Sequence, residues 1–555
     1  FVGRDAEFLQ LSGGLMRVLD SVGSLWLVGG ESGVGKSRLL DELRIHALVQ
    51  GVEVLRGQAA REGDAAFQLW RSVLRQLCLY TDITDEEASV LKLLVPDLDT
   101  LIERKVSVTA QKEEQSEAHE QMLDVIEALF ARQTEPILVL LEDLQWVVGD
   151  SVDLLRNLIP VIEDTPVMIV ASYRTEDRPD MLTDLLGEDT PQPSHVYNLR
   201  LDRFSSGEVA RLSESMLGNA GRRDSVIDLI KRESEGNVFF IIEVIRALAD
   251  EVSNNMEDIG RMTLPKQVFA GGVDMVLQKR LSRISRESMP LLEIAAVMGR
   301  ELDVSVLREL AGDVDLDTWL TTCANSAVLE ANEDRWRFSH DKLRDRVLEA
   351  IETSRKRDLH WLIAEAMERI YDDTSLVASR LTYHWEAVGE YEKVVHFGRL
   401  AGKQSLQMGA TRQATAFFQR VLDALRQLPQ TSENQLRLVD VIDDLVGVGM
   451  FFLGHRLEDL LKEALQIVEN VENQDERHVQ ILNGLGTYYY VYGNMGESVQ
   501  YFIQAIQIAE SNGLEELLTQ PYCNVGRAIM MVGDLPRAMT MLKRGVDLAE
   551  RYNYV

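Results

Sequence analysis

Gly30-Glu31-Ser32-Gly33-Val34-Gly35-Lys36-Ser37 specifies a ligand by spacing alone. It reads as a phosphate-binding loop. The apolar run Leu25-Trp26-Leu27-Val28 before it suits a buried strand. Arg38 to Val49 after it sets Leu39, Leu40, Leu43, Ala47 and Leu48 on one helical face, and Gly51 closes that helix. In a strand, loop, helix context the glycines let successive backbone N–H groups turn inward at a helix N-terminus, where unpaired donors and the dipole favour anions. Lys36 is expected to reach the β- and γ-phosphates and Ser37 Oγ to ligate Mg²⁺. Gly30, Gly33, Val34, Gly35, Lys36, Ser37 and Arg38 are thus the expected nucleotide contacts, and ATP or ADP with Mg²⁺ the expected cofactors.

Working outward, short apolar runs alternate with helical patterns from Phe1 to about Leu201, at Leu25–Val28, Val52–Leu55, Ile137–Leu141, Val167–Ala171 and Val196–Leu201. That alternation predicts an α/β parallel sheet. The run Ile137 to Leu141 ends in Glu142-Asp143, and a buried strand accepts two acids only at its solvent-facing carboxyl end, where the phosphates sit. One acid is expected to hold the Mg²⁺ shell and the other to approach the attacking water, the spacing leaving open which does which. The next strand ends in Ser172-Tyr173-Arg174, which brings a guanidinium to the same edge as a γ-phosphate reader. A surface Arg174 paired with Glu176 or Asp177 is its rival. Lys36, Glu142, Asp143 and Arg174 are therefore the candidate catalytic residues, with Ser37, Glu142 and Asp143 as candidate metal ligands.

Beyond Leu201 helical spacing dominates. Ser205 to Leu217 and Ser225 to Asp250, including Ile241, Ile242, Val244, Ile245 and Leu248, predict a small helical lid. From Pro265 to about Glu352, helices around Val276–Leu281, Met289–Met298 and Val304–Leu310 precede a hairpin of Ala327–Glu330 and Arg335–Phe338 around Asn332-Glu333-Asp334. Helices plus a hairpin predict a winged helix with a packing role, since its surroundings are acidic. From Ser354 onward the pattern is helical. Gly493-Asn494 and Gly533-Asp534 share a frame, as do Ala505-Ile506 with Gly545-Val546 and Ala509 with Ala549, a period of about 40 residues. Gly389-Glu390, Gly409-Ala410 and Gly454-His455 mark earlier turns, and the aromatics Tyr489, Tyr501 and Phe502 between small residues complete the pattern of an α-solenoid. The expected division is 1–201 nucleotide-binding, 202–262 lid, 263–352 winged helix and 353–555 TPR-like repeats.

Composition agrees with several globular domains, since 555 residues with 45% apolar content exceed one core. A formal charge of −32 without a Lys/Arg block argues against a nucleic-acid or anionic-membrane footprint. The three scattered cysteines lack metal spacing and suit a reducing interior. With no run long enough to cross a bilayer and no signal peptide, the expected compartment is cytoplasmic. A start at Phe1-Val2-Gly3-Arg4 and an end at Tyr554-Val555 suggest an excised part whose output domain lies elsewhere.

The order Phe1-Val2-Gly3-Arg4, phosphate loop, Leu140-Leu141-Glu142-Asp143-Leu144-Gln145-Trp146, Ser172-Tyr173-Arg174, lid, winged helix and repeats resembles the STAND class of signal-transduction ATPases over the whole chain. It looks most like the bacterial branch containing the maltose-regulon activator and the ATPase segments fused to large regulators, Ser/Thr kinases and nucleotide cyclases. The resemblance implies that Val2 and Arg4 lie beside the adenine and that His340, in Phe338-Ser339-His340-Asp341, touches the ADP β-phosphate in a closed state. Two departures stand out. Val238 follows Glu235-Gly236-Asn237 where the family usually has proline over the nucleotide, and Glu142 stands where many relatives carry Asp. The implied function is a slow, Mg²⁺-dependent ATPase used as a switch. A protein or small-molecule inducer on the repeats loosens an ADP-closed form, ATP favours self-association, and an effector outside this stretch responds. An ATP-driven remodelling machine and a protein-binding scaffold with structural nucleotide are the alternatives.

Overall fold

The computed structural model describes residues 2–59, 66–106, 115–147, 149–188, 190–251, 278, 280–332, 335–450 and 452–552. The chain forms two compact units, one of Phe1–Val106 and Leu123–Thr374, the other of Ser107–Met122 and Ser375–Val555.

The first unit is built on a parallel sheet of β1 (Ser24–Gly30), β2 (Glu53–Gln58), β3 (Ile137–Glu142), β4 (Val167–Arg174) and β5 (Val196–Leu201), in the order β2-β3-β4-β1-β5. All five predicted runs are strands. Every residue of β1 is buried, because β4 and β5 pair with its two edges and helices cover the sheet. The helices Asp5–Leu19 and Lys36–Val49 place Leu11, Leu15, Leu39 and Leu43 against Trp26, Val28, Leu140 and Met168 in one core. Leu48, expected on that buried face, is 51% exposed; the inward face is carried by Leu40, Leu43 and Ala47, and Leu48 stands one residue past it.

Three helices follow, Ser206–Leu217, Asp224–Ser234 and Val238–Glu251. The first starts at a capping box in which Ser205 and Glu208 satisfy each other's backbone N–H groups. The helical pattern from Ser225 to Asp250 is two helices, because Glu235 and Gly236 take φ of 49° and 82° between them. A Cβ on Gly236 would lie 2.6 Å from Phe204 O, so this break requires glycine. Ile241, Val244, Ile245 and Leu248 join the core of the three helices as expected, while Ile242 is only partly buried. The proposed boundary at 262, the residues Pro265 onward and the start of the helix at Val276 lie outside the described residues.

Between Met289–Met298 and Thr353–Ile370 the chain adds helices Val304–Leu310, Leu316–Asn325 and Asp341–Ala350 and an antiparallel sheet of β6 (Glu301–Leu302), β7 (Leu329–Asn332) and β8 (Arg335–Phe338), ordered β6-β8-β7. The first hairpin strand starts two residues later than predicted, because Ala327 has φ 52° and Val328 N–H still bonds Cys323 O at the helix end. The turn residues Glu333 and Asp334 are outside the described set. Helix Thr353–Ile370 packs on Met289–Met298 and Val304–Leu310, so the first unit continues past 353, where the sequence pattern placed the start of the repeats.

The second unit is a solenoid of consecutive antiparallel helices from Ala378–Val388 to Leu535–Arg551. Gly389, Gly409, Gly454, Gly493 and Gly533 all turn between helices with positive φ. The 40-residue frame has a packing basis, since a Cβ on Gly486 would meet the Phe502 ring at 2.6 Å and one on Gly526 would meet Leu542 at the same 2.6 Å. Each glycine lets the paired helix approach. No helix among the described residues is long and apolar enough to cross a membrane. Gly486→Val should destabilise this unit by about 1–3 kcal/mol through overpacking against the buried Phe502; the urea midpoint of the variant measures it, and an unchanged midpoint would refute the close approach.

Candidate functional site

The loop between β1 and helix Lys36–Val49 starts where the buried strand ends, and Gly33 and Gly35 carry φ of 79° and 103°. Lys36 is 8% exposed, and its ammonium donates to Gly30 O at 2.6 Å and Glu31 O at 2.9 Å. Burial lowers its pKa to about 8, a shift opposed chiefly by Glu176. A buried cation held by carbonyl oxygens fits an anionic ligand such as a nucleotide phosphate. Ser37, exposed in the first helical turn, fits a Mg²⁺ ligand there. Arg38 turns its side chain away to Glu42, so its guanidinium leaves the expected contact and only its backbone stays at the loop.

Three distant segments meet the loop. Arg4 donates to Val34 O at 3.1 Å and to Asp202 O at 2.5 Å, with its guanidinium over the Phe204 ring; Val2 is half-buried. Asn237 donates to Ser32 O at 2.9 Å and Phe239 N–H to Gly33 O at 2.9 Å; Asn237 Oδ1 is a buried acceptor without a partner. Val238 lies beside Gly35, its Cγ2 4.0 Å from where a Cβ would stand. His340 Nε2 would lie 3.3 Å from a Cβ on Gly33. Its ring stacks on Phe239 at 3.9 Å, and Nδ1 accepts the Lys342 N–H at 3.2 Å. That bond assigns the proton to Nε2, which makes the loop-facing nitrogen a donor. Burial first, then Arg300, Lys342, Arg174 and Arg280, lower the His340 pKa to about 3, so the ring is neutral at physiological pH.

The two acids at the end of β3 part company. Glu142 is 3% exposed and bound by Arg56 of β2 at 2.5 Å, and it acts on Asp41 of the helix after the loop. Asp143 follows in the left-handed region at φ 62°, which swings its carboxylate towards the loop, where it acts on Lys36. Gln145 donates to it at 2.9 Å and Gln58 at 3.2 Å, while Arg174 stands 4.0 Å away and Arg300 forms an ion pair with it. Burial acts to raise its pKa, but Arg300, Gln145 and Arg174 prevail and hold it below the usual carboxylate value. Arg174 does not pair with Glu176 or Asp177. It forms an ion pair with Asp341, which also faces Arg300 Nε at 3.3 Å, and lies over the Trp146 ring. Glu176 instead accepts the Ser32 N–H at 2.6 Å.

Of the residues singled out in the sequence, the structure brings Arg4, the loop, Asp143, Arg174, Val238 and His340 to one place. Sequence reasoning missed Arg300, for which Arg-Glu-Leu before a two-residue strand gives no signal, and the roles of Asn237, Asp341, Gln58 and Gln145. Adjacency to Gly236 and His340 was the available hint for Asn237 and Asp341. Among the described residues no cluster of His, Cys, Asp and Glu is arranged for a metal.

Residues 1–170 match the family model of the AAA ATPase domain. The chain is 24% identical over 450 residues to a protein of Rhizobium meliloti (strain 1021), covering 75% of this chain and 42% of that one; it spans less than half of that relative's length. Among solved structures, a STAND protein with a tetratricopeptide repeat sensor from Pyrococcus horikoshii covers 100% of this chain and is itself covered over 84%, at 13% identity and TM-score 0.42. A Walker-type ATPase of Pyrococcus abyssi covers 63% of this chain and 96% of its own at 14% identity and TM-score 0.27.

If Lys36 holds a nucleotide phosphate, its pKa of about 8 makes that binding pH-dependent. The ammonium form binds, so affinity is complete below pH 8 and falls as pH rises through it, by at most about tenfold per unit. ADP titrations between pH 6.5 and 9.5 test this, and a flat profile would refute the buried-ammonium account.

Proposed function

We propose, from the AAA-type ATPase domain and the STAND-like order of sheet, three-helix segment, helix-and-hairpin segment and solenoid, that this chain is a nucleotide-operated signalling switch. The observation that carries the reading is the convergence of Asn237, His340, Asp341 and Arg300 on the loop and on Asp143 and Arg174. These residues come from segments that nucleotide hydrolysis alone would not need at the phosphate site. The segment from Met289 to Ala350 acts as a winged helix that packs on the sheet, and helices Ser206–Glu251 as the lid.

ATP and Mg²⁺ supply the reacting phosphate and its counter-charge. Lys36 and the loop N–H groups bind the phosphates, and Ser37 is the proposed Mg²⁺ ligand. Asp143 is the acid aimed at the phosphates and the proposed base; Glu142, tied to Arg56, supports the metal shell from behind. Arg174 reads the γ-phosphate once it leaves Asp341. In the form described here Asp143 is bound by Arg300, so it cannot take a proton from water, and turnover is slow. Neutral His340 donates from Nε2 to an ADP β-phosphate and favours the closed arrangement. The solenoid senses an inducer of protein or small-molecule nature, opening permits ATP-dependent self-association, and the response passes to an effector outside this stretch.

If His340 donates to the β-phosphate only in the closed form, losing that bond shifts a two-state equilibrium by roughly 10- to 150-fold. His340→Ala should therefore release ADP faster and associate more readily with ATP, measured by nucleotide release and light scattering. Equal release and equal mass in variant and wild type would overturn the switch reading at this residue.

A further inference from the structure

The outer edge of the sheet carries a second polar concavity, of about 440 Å³, distinct from the phosphate loop but sharing Gln58 and Glu142 with the end of β3. Arg56 enters it from β2, Arg71 and Arg75 from helix Gln68–Tyr80, and Arg335 and Arg337 from β8; Glu142 and Glu301 are the acids in its wall. Five arginines lining one concavity in a chain of net charge −32 run against the composition. The rest of the wall is glutamine, serine and glycine, without one apolar side chain.

Burial grades the arginines. Arg337 is 8% exposed at the base, where it donates to Glu330 at 2.8 Å and Gln58 at 3.2 Å. The side chains of Arg75 and Arg335 are 49% and 65% exposed at the rim, paired with Asp97 and Glu301. Rim pairs of this kind are worth little in water, so these two forks turn to a stronger anion at small cost. Arg56 is held by the buried Glu142, and Arg337 by Gln58 and the more exposed Glu330, so both guanidinium groups are already positioned.

We propose that this concavity is a binding site for a compact polyphosphate, a small molecule bearing two or more phosphate groups and no hydrophobic part. Arginine forks match phosphate oxygens bidentately. The volume is that of a small-molecule site. An acyl chain would meet no apolar side chain there. The ligand would touch both the sheet and the β8 hairpin, and through Arg56 it would bear on Glu142.

The test is calorimetric titration of the full chain with inorganic tripolyphosphate at low salt, with saturating ADP and no added Mg²⁺, so that the phosphate loop is filled. One binding event is expected, weakening with salt, retained in Lys36→Ala and reduced about tenfold or more in Arg75→Ala/Arg335→Ala. Arg71→Ala, read separately, should also weaken binding, with wild-type thermal unfolding in both variants as the check on folding. Absence of binding, or binding lost in Lys36→Ala and unaltered in both arginine variants, would overturn the proposal.

Discussion

Four charges close the carboxyl edge of the sheet around the phosphate loop: Asp143 and Arg174 from the sheet, Arg300 and Asp341 from the helix-and-hairpin segment. All four side chains are mostly withdrawn from water, between 12% and 22% exposed. Withdrawing charges is costly unless each has a partner, and removing one partner from such a set costs roughly 3–5 kcal/mol because the other is left unpaired. The four groups therefore stay together or part together. Contact of Arg300 and Asp341 with the sheet and neutralisation of Asp143 therefore go together, which couples the packing of that segment to the acid at the end of β3.

The loop itself is tied by hydrogen bonds to its backbone carbonyls. Its carbonyls at Ser32, Gly33 and Val34 accept from Asn237, Phe239 N–H and Arg4, so the N-terminal arm and the three-helix segment fix its shape. Backbone carbonyls accept and phosphates accept. A ligand therefore adds to these bonds through the loop N–H groups and Lys36, and competes with Glu176 for the Ser32 N–H and with the ion pairs of Arg174. That difference separates binding, which needs only the loop, from rearrangement, which needs the charge set to open.

Much of this was legible from the amino-acid order because it rests on local rules. Glycines at fixed offsets force the loop, uninterrupted apolar runs force buried parallel strands, and paired glycine-and-large positions such as Gly486 with Phe502 generate the repeat frame. What was not legible depends on tertiary partners. The helical spacing through Ser225 to Asp250 conceals a break demanded by the close approach of Gly236 to Phe204. Period-two reasoning places Glu142 and Asp143 on opposite faces of a strand, but the left-handed turn at Asp143 ends the strand, and Arg56 claims Glu142. Arg300 carries no motif and acquires its role only because the β6-β8 sheet holds it over Asp143.

Arg300, through its ion pair, restrains Asp143. Steady-state ATP hydrolysis by Arg300→Ala tests it most directly, with Arg300→Ala/Asp143→Asn as the companion. A freed general base is expected to raise turnover roughly ten- to hundredfold, and the double variant to lose that gain. Turnover of Arg300→Ala equal to or below that of the wild type, with nucleotide still bound, would contradict the account.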